Sequence, residues 1–197
     1  MKRNLFGGTL GFVLLAAAGT ANAGVILQDL GPSNTQINSA ERIGQSFTAE
    51  DSFVSFAFSF EEINPSFPND SLAFSLHDGS GFGGATLFST NFSLADGFVG
   101  FFDFDISSVA LAVGQVYTAE VEAPAPGNSP RWGINSTSGN PYAGGEFFSQ
   151  SSAVVNRDAR FRVTPQTVNS VPEPSALLLF GVGLAGLAGY GRRRRSD

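Results

Sequence analysis

The side chains of this 197-residue chain whose types and spacing could do chemistry are few: one histidine, His77, a carboxylate pair, Asp103 and Asp105, and a loop carrying Arg131, Trp132, Asn135 and Tyr142. A histidine acting as a base needs a nucleophile and an orienting acid within hydrogen-bond reach. His77 is followed by Asp78-Gly79, but neighbours along a strand point to opposite faces, and no G-x-S-x-G elbow accompanies them. His77 reads as a solvated residue at a strand end, and no catalytic residue is assigned. Asp103 and Asp105 are two apart, so on a strand they share a face with Cα atoms about 7 Å apart. Such a pair could flank Ca²⁺, with Asp78, Ser80 or Asp70 adding oxygens from turns, or it could face a glycosidic bond. Calcium takes about six to eight oxygens, and no D-x-D-x-D-G loop supplies them, so a hydrated acidic edge that discourages strand pairing is the plainer expectation. A glycan hydrolase is the alternative, although nothing marks a proton donor. Sugars stack on Trp and Tyr, and guanidinium and amide groups bind their hydroxyls, which makes Arg131, Trp132, Asn135 and Tyr142 candidate ligand residues. Trp132 also alternates with Ile134, so a strand that plugs the core competes with a stacking platform and is preferred.

The elements that must position these groups are strands. Val54, Phe56, Phe58 and Phe60 alternate with Ser55, Ala57 and Ser59, and Leu72, Phe74 and Leu76 alternate with Ser71, Ala73, Ser75 and His77. Phe102, Phe104 and Ile106 alternate with Phe101, Asp103 and Asp105, and Tyr117, Ala119 and Val121 alternate with Thr118, Glu120 and Glu122. A period of two is the signature of half-buried strands. Turn formers separate them: Asn64-Pro65, Asp78-Gly79-Ser80-Gly81, Asp96-Gly97 and Val113-Gly114, with a long irregular stretch at 123–145. The expectation is an all-β module of roughly seven to nine short strands, an antiparallel β-sandwich or jelly roll.

Composition bounds the function. Residues 24–170 hold seventeen of the twenty phenylalanines, five arginines, no lysine and fifteen carboxylates, a net charge of −10 against −6 for the whole chain. That field repels nucleic acid and anionic headgroups and excludes nucleic acid as a partner. The chain has no cysteine, hence no disulfide, thiol nucleophile or thiolate ligand. About 147 residues suffice for one core.

Both ends read as addresses. Lys2 and Arg3, an apolar run over 5–18, and Ala21-Asn22-Ala23 form a secretory signal peptide, residues 1–23, cleaved before Gly24 by signal peptidase after Sec-type export. At the other end Val171-Pro172-Glu173-Pro174 precedes an apolar span at 175–190, followed by Arg192, Arg193, Arg194 and Arg195. In hydrocarbon such a run must be helical, giving a short transmembrane helix with its arginines on the cytoplasmic side. The prolines keep the approach extended.

The motif, span and basic block over residues 171–197 resemble the PEP-CTERM sorting-signal family of exported bacterial proteins. That resemblance implies recognition of Pro172-Glu173-Pro174 by an exosortase in a Gram-negative, exopolysaccharide-producing cell, so the helix is a transient membrane intermediate. A permanent single-span anchor is the alternative. Gly44-Gln45-Ser46-Phe47-Thr48, Ser75-Leu76-His77-Asp78-Gly79 and Leu111 to Tyr117 also resemble extracellular jelly-roll-like modules with interchangeable carboxy-terminal anchors, which implies a fold and a surface location. The expected protein is an exported, non-enzymatic surface or matrix component. It has no cofactor unless Ca²⁺ binds, and its β module supports biofilm architecture or contacts exopolysaccharide.

Overall fold

The computed structural model describes residues 24–31, 33–38, 42–68, 71–123 and 131–166. The expected signal peptide with Ala21 and Ala23, the turn residue Asp70, and the sorting signal with its expected membrane span and arginines lie outside the described residues. The described chain is all-β. Its strands are β1 (Ile26–Gln28), β2 (Ser33–Gln36), β3 (Ile43–Thr48), β4 (Val54–Glu62), β5 (Leu72–Asp78), β6 (Thr86–Phe92) and β7 (Val99–Asp105). They continue with β8 (Val116–Glu122), β9 (Trp132–Ser138), β10 (Phe147–Ser149), β11 (Ser152–Val154), β12 (Arg157–Ala159) and β13 (Phe161–Pro165). Thirteen strands exceed the expected seven to nine because five of them are only three or four residues long.

All pairing is antiparallel, in two sheets. One runs β11-β10-β3-β8-β5-β6; the other runs β1-β13-β4-β9-β12, with β7 added on β4 and β2 on β9. β4 organises the second sheet. β7 pairs along one side from Ser55↔Asp105 to Glu61↔Val99, while β13 and β9 share the other, at residues 54–58 and 60–62. The stretch at 123–145 is therefore not all irregular, since β9 inside it is a central strand with both edges paired.

Period-two alternation puts the phenylalanines between the sheets, because successive side chains of a strand point to opposite faces. Phe56, Phe58 and Phe60 of β4 and Phe161 of β13 are fully buried, as are Phe47 of β3 and Phe74 of β5 on the facing sheet. The sheets touch ring to ring. Phe74 stacks on Phe104 with centroids 3.9 Å apart and planes 9° apart, Phe47 tilts against Phe56 at 5.4 Å, and Phe92 meets Phe104 edge-on at 4.9 Å. Offset and edge-to-face rings add about 0.5–1.5 kcal/mol per pair to the burial of apolar area. Turn geometry closes the shorter strands: Gln150 and Ser151, both at positive φ (55° and 77°), make the two-residue link between β10 and β11, a twist that matches paired strands.

Phe74 touches Phe56, Phe88 and Phe104, all across or along this interface. Phe74→Ala is expected to cost about 3–5 kcal/mol, read as a lowered urea midpoint at unchanged slope.

Candidate functional site

The residues singled out in the sequence do not gather at one place. Trp132 is 2 % exposed and belongs to the core with Ile134, so it offers no stacking platform to solvent. Arg131 is buried beside it, with its guanidinium 5.6 Å from the indole centroid. It donates from Nε to Glu62 (2.8 Å), from Nη1 to the Phe67 carbonyl (2.9 Å) and from Nη2 to Asp96 (2.7 Å). This arginine ties two loops to β4. Asn135 lies on the opposite face of β9 from Trp132, accepting from Ser59 at 2.7 Å and donating to Glu61 at 3.1 Å. Tyr142 packs edge-on against Phe161 at 5.1 Å, and its hydroxyl accepts from the Thr48 amide. Burial and the charges of Glu50 and Asp158 push the Tyr142 phenol up, although the Thr48 bond works the other way. The four candidates thus share no ligand face. Alternation explains Trp132; the commitments of Arg131 are tertiary and invisible in a window of sequence.

Asp103 and Asp105 stand together as expected, on the outer face of β7. They line a groove of about 580 Å³ with Val25, Ser55, Arg162, Thr164 and Gln166. Arg162 Nη2 reaches both oxygens of Asp103, at 2.8 and 2.9 Å. Asp105 accepts from the Ser107 amide at 3.0 Å, and hydrogen bonds from the Ser107 side chain and backbone hold its carboxyl below the usual carboxylate value. Gln166 donates to Ser55 at 3.0 Å across the groove floor. Phe101 is clasped by two guanidiniums, those of Arg160 and Arg162, at 5.0 and 5.1 Å. Asp78 does not join this pair, because β5 belongs to the other sheet. The expected calcium set of Asp103, Asp105 and Asp78 is therefore not assembled, and among the described residues no three His, Cys, Asp or Glu side chains gather to hold a metal.

His77 departs furthest from expectation. It does lie on the outer face of its sheet, yet it is only 6 % exposed. Its Nε2 sits 2.6 Å from Glu120 Oε2, and Glu120 Oε1 faces Arg42 Nη1 at 3.2 Å. Thr86 Oγ1 is 3.4 Å from the other ring nitrogen. A glycine-rich flap, residues 79–85, folds back over this face. Gly81 N–H donates to Thr118 Oγ1, which donates to the Gly79 carbonyl, both at 2.8 Å. The flap lays Phe82 on β3 at Gly44, where a Cβ would collide with the ring and stand 2.8 Å from the Ala119 carbonyl oxygen. Phe82 also contacts Phe148 (5.7 Å) and the Arg42 guanidinium (5.1 Å). Taking a charge out of water costs several kcal/mol unless it is paired, and buried Glu120 meets His77 with one oxygen and the half-exposed Arg42 with the other.

A second buried carboxylate joins the two sheets. Asp158 of β12, 0 % exposed, accepts from Gln45 Nε2 of β3 and from the Tyr142 amide, each at 2.9 Å. Gln45 Oε1 in turn accepts from the Ala159 amide at 2.8 Å. Burial raises the Asp158 carboxyl above 3.8, more than the Tyr142 and Gln45 bonds lower it. The folded state then holds a proton that the unfolded chain has released, so this group's contribution to stability is full below pH 3.8 and is lost as pH rises through the raised value. Asp158→Asn, which cannot ionise, is expected to flatten that slope. Midpoints of urea unfolding for both proteins from pH 3 to 7 should diverge in favour of the variant as pH rises, whatever constant offset the amide introduces.

Comparison with known proteins found one likeness, to the model described as the PEP-CTERM protein-sorting motif, over residues 170–195. No curated protein and no solved structure matched the chain. The matched residues contain Val171 to Pro174, the apolar span and Arg192 to Arg195. Residues 170–195 carry a PEP-CTERM protein-sorting motif, which implies export toward the cell envelope and an exosortase as processing partner.

Proposed function

We propose that this chain is a non-catalytic surface or matrix protein of a Gram-negative bacterium. In this reading it leaves through the Sec machinery, loses residues 1–23 to signal peptidase, and is cut by exosortase near Pro172-Glu173-Pro174 after a transient membrane stage. The mature module is a β-sandwich of jelly-roll type: β3-β8-β5-β6 facing β4-β7 is the nested order such a fold produces. Its role is to contact neutral exopolysaccharide and support biofilm structure.

The single observation that carries the contact is the Asp103–Arg162 groove. It presents carboxylate, guanidinium, amide and hydroxyl groups on one open face. Mixed donors and acceptors of that kind match sugar hydroxyls. The negative net charge of the module disfavours acidic polymers, which leaves neutral glycans as the fitting class. A glycosidase needs one carboxylic acid kept protonated by a raised pKa. Asp105 is shifted the opposite way and Asp103 is clamped by Arg162, which argues for binding over hydrolysis.

Two measurements test this. Intact mass of the protein from its native host should give a product beginning at Gly24 and ending near Pro174 only when exosortase is present; recovery of residues 24–197 with and without the enzyme means a permanent anchor. Titration of that product with the host's neutral exopolysaccharide should show binding that Arg162→Ala weakens about tenfold, as expected for loss of one charged hydrogen-bonding group. Release of reducing ends in the same mixture would return the hydrolase alternative.

A further inference from the structure

Edge strands leave a row of unpaired N–H and C=O groups, and proteins blunt them with charge, proline, bulges or short length. Most edges here are blunted. β1, β11 and β12 are three residues long, and β7 carries Asp103 and Asp105 with Gly100 at φ 129°. β6 is different. It runs seven residues, Thr-Leu-Phe-Ser-Thr-Asn-Phe, without a charge or a proline, and among the described residues it pairs only with β5. Its ladder irregularity is confined to the start, where Leu76 faces Phe88 and His77 faces Thr86. From Phe88 to Phe92 the register is unbroken.

The free groups can be identified. Asp78 N–H donates toward β6, to the Ala85 carbonyl, and the Phe92 carbonyl accepts from Ser71 on the β5 side. Both groups of a residue in an antiparallel strand point the same way, and the direction alternates. Leu72, Phe74 and Leu76 therefore bond Phe92, Thr90 and Phe88, while Ser89 and Asn91 aim their N–H and C=O at the open edge, where the Asn91 carbonyl takes only a long 3.4 Å bond from its neighbour Thr90 Oγ1.

We propose that this edge docks a second copy of the chain, β6 to β6, antiparallel about a two-fold axis at Thr90. The axis sets Ser89 opposite the partner copy's Asn91, so the outward backbone groups bond in reciprocal pairs, and it sets Phe88 beside Phe92 across the join. Both rings are half-buried in the single chain and packed on the core, and Leu87 is exposed nearby. Aromatic cross-strand pairs are favourable neighbours, and an isologous contact of this kind closes on itself as a dimer. The order Phe88-Ser89-Thr90-Asn91-Phe92, nearly mirrored about Thr90, suits the strand to a second copy of itself. Two copies, whose residues 24–170 carry net −10 each, repel over most of their surfaces; β6 is the long edge on which no like charges meet.

Because the chain has no cysteine, one introduced thiol reports the contact. Thr90 lies at a pair not hydrogen-bonded across the new ladder, where Cα atoms come to about 4.5 Å, within disulfide reach. The full chain carrying Thr90→Cys, made and exported by its native host and treated with a mild oxidant, should run as a disulfide dimer on a non-reducing gel. Val99→Cys, exposed on β7, should stay monomeric. Adding Asn91→Pro to Thr90→Cys removes an outward donor that β5 does not use, and should abolish the dimer while exported yield is kept. A monomeric Thr90→Cys chain, a dimer equally strong for Val99→Cys, or a disulfide to a different protein would each overturn the proposal. Should the proline variant be lost to misfolding, the Thr90 and Val99 comparison alone decides.

Discussion

Two sheets are held by one layer of phenylalanine, and the rest of the molecule depends on that layer. With no cysteine the exported module has no covalent staple, and burial of apolar area near 25 cal/mol per Å² must offset the ordering of the chain. Phenylalanine suits this because it brings much area with little side-chain freedom to lose. Phe56 is the hub: its ring meets Phe47 and Phe74 on the facing sheet and Phe58 and Phe161 on its own. Such a layer fixes register as well, since a slip of one residue in β4 would turn Phe56, Phe58 and Phe60 out and Ser55, Ala57 and Ser59 in.

The outer faces follow from the inner one. Once alternation has sent phenylalanine inward, polar residues face outward on central strands that water barely reaches. Ser59, Glu120 and Thr118 are buried although none points at the core. Each is approached from outside its own strand, and only Glu120 Oε1, which faces Arg42 as an ion pair, accepts no hydrogen bond. Asn135 and Arg160 approach Ser59, the flap brings Gly79 and Gly81 to Thr118, and His77 and Arg42 meet Glu120. Arginine stems and the Phe82 and Phe101 rings roof these strands, as amphipathic side chains do when their length lies along a sheet and their head finds an acid.

This is where legibility in the sequence ended. Period two located β4, β5, β7 and β8 and the facing of nearly every residue in them, because that signal is local. The pairing of Asp103 and Asp105 on one face was local too. Asp78-Gly79-Ser80-Gly81 reads as a turn, and the chain does bend there; the return of Phe82 over β3 depends on Gly44, which lies more than thirty positions earlier. Hence His77 reads as solvated, although the flap covers it. The hairpin at Gln150-Ser151 escaped for another reason, since positive φ there is adopted without the glycine or asparagine that usually marks such a turn. Asp158 could not be told from any surface acid, because its partners Gln45 and Tyr142 come from distant segments. The sorting motif, by contrast, was legible whole, being a linear signal meant to be read without a fold.

The arginines account for how charge is disposed. Arg42, Arg131, Arg160 and Arg162 pair with Glu120, with Glu62 and Asp96, with Asp29 and with Asp103, while Arg157 lies over the Phe147 ring. Every cation of the module is thus spent on internal geometry. The other carboxylates find no guanidinium among the described residues, and the surplus negative charge is turned outward. Repulsion of that kind keeps a phenylalanine-rich module dispersed during export. It also narrows where the module can be approached closely, to surfaces that carry either no charge or compensated charge. Two stand out among the described residues: the uncharged edge of β6, and the groove where Arg162 neutralises Asp103. On the readings proposed above, the first offers backbone groups to a strand and the second offers hydroxyl-matching side chains to a polar chain, and the placement of five arginines leaves these two surfaces on opposite sheets.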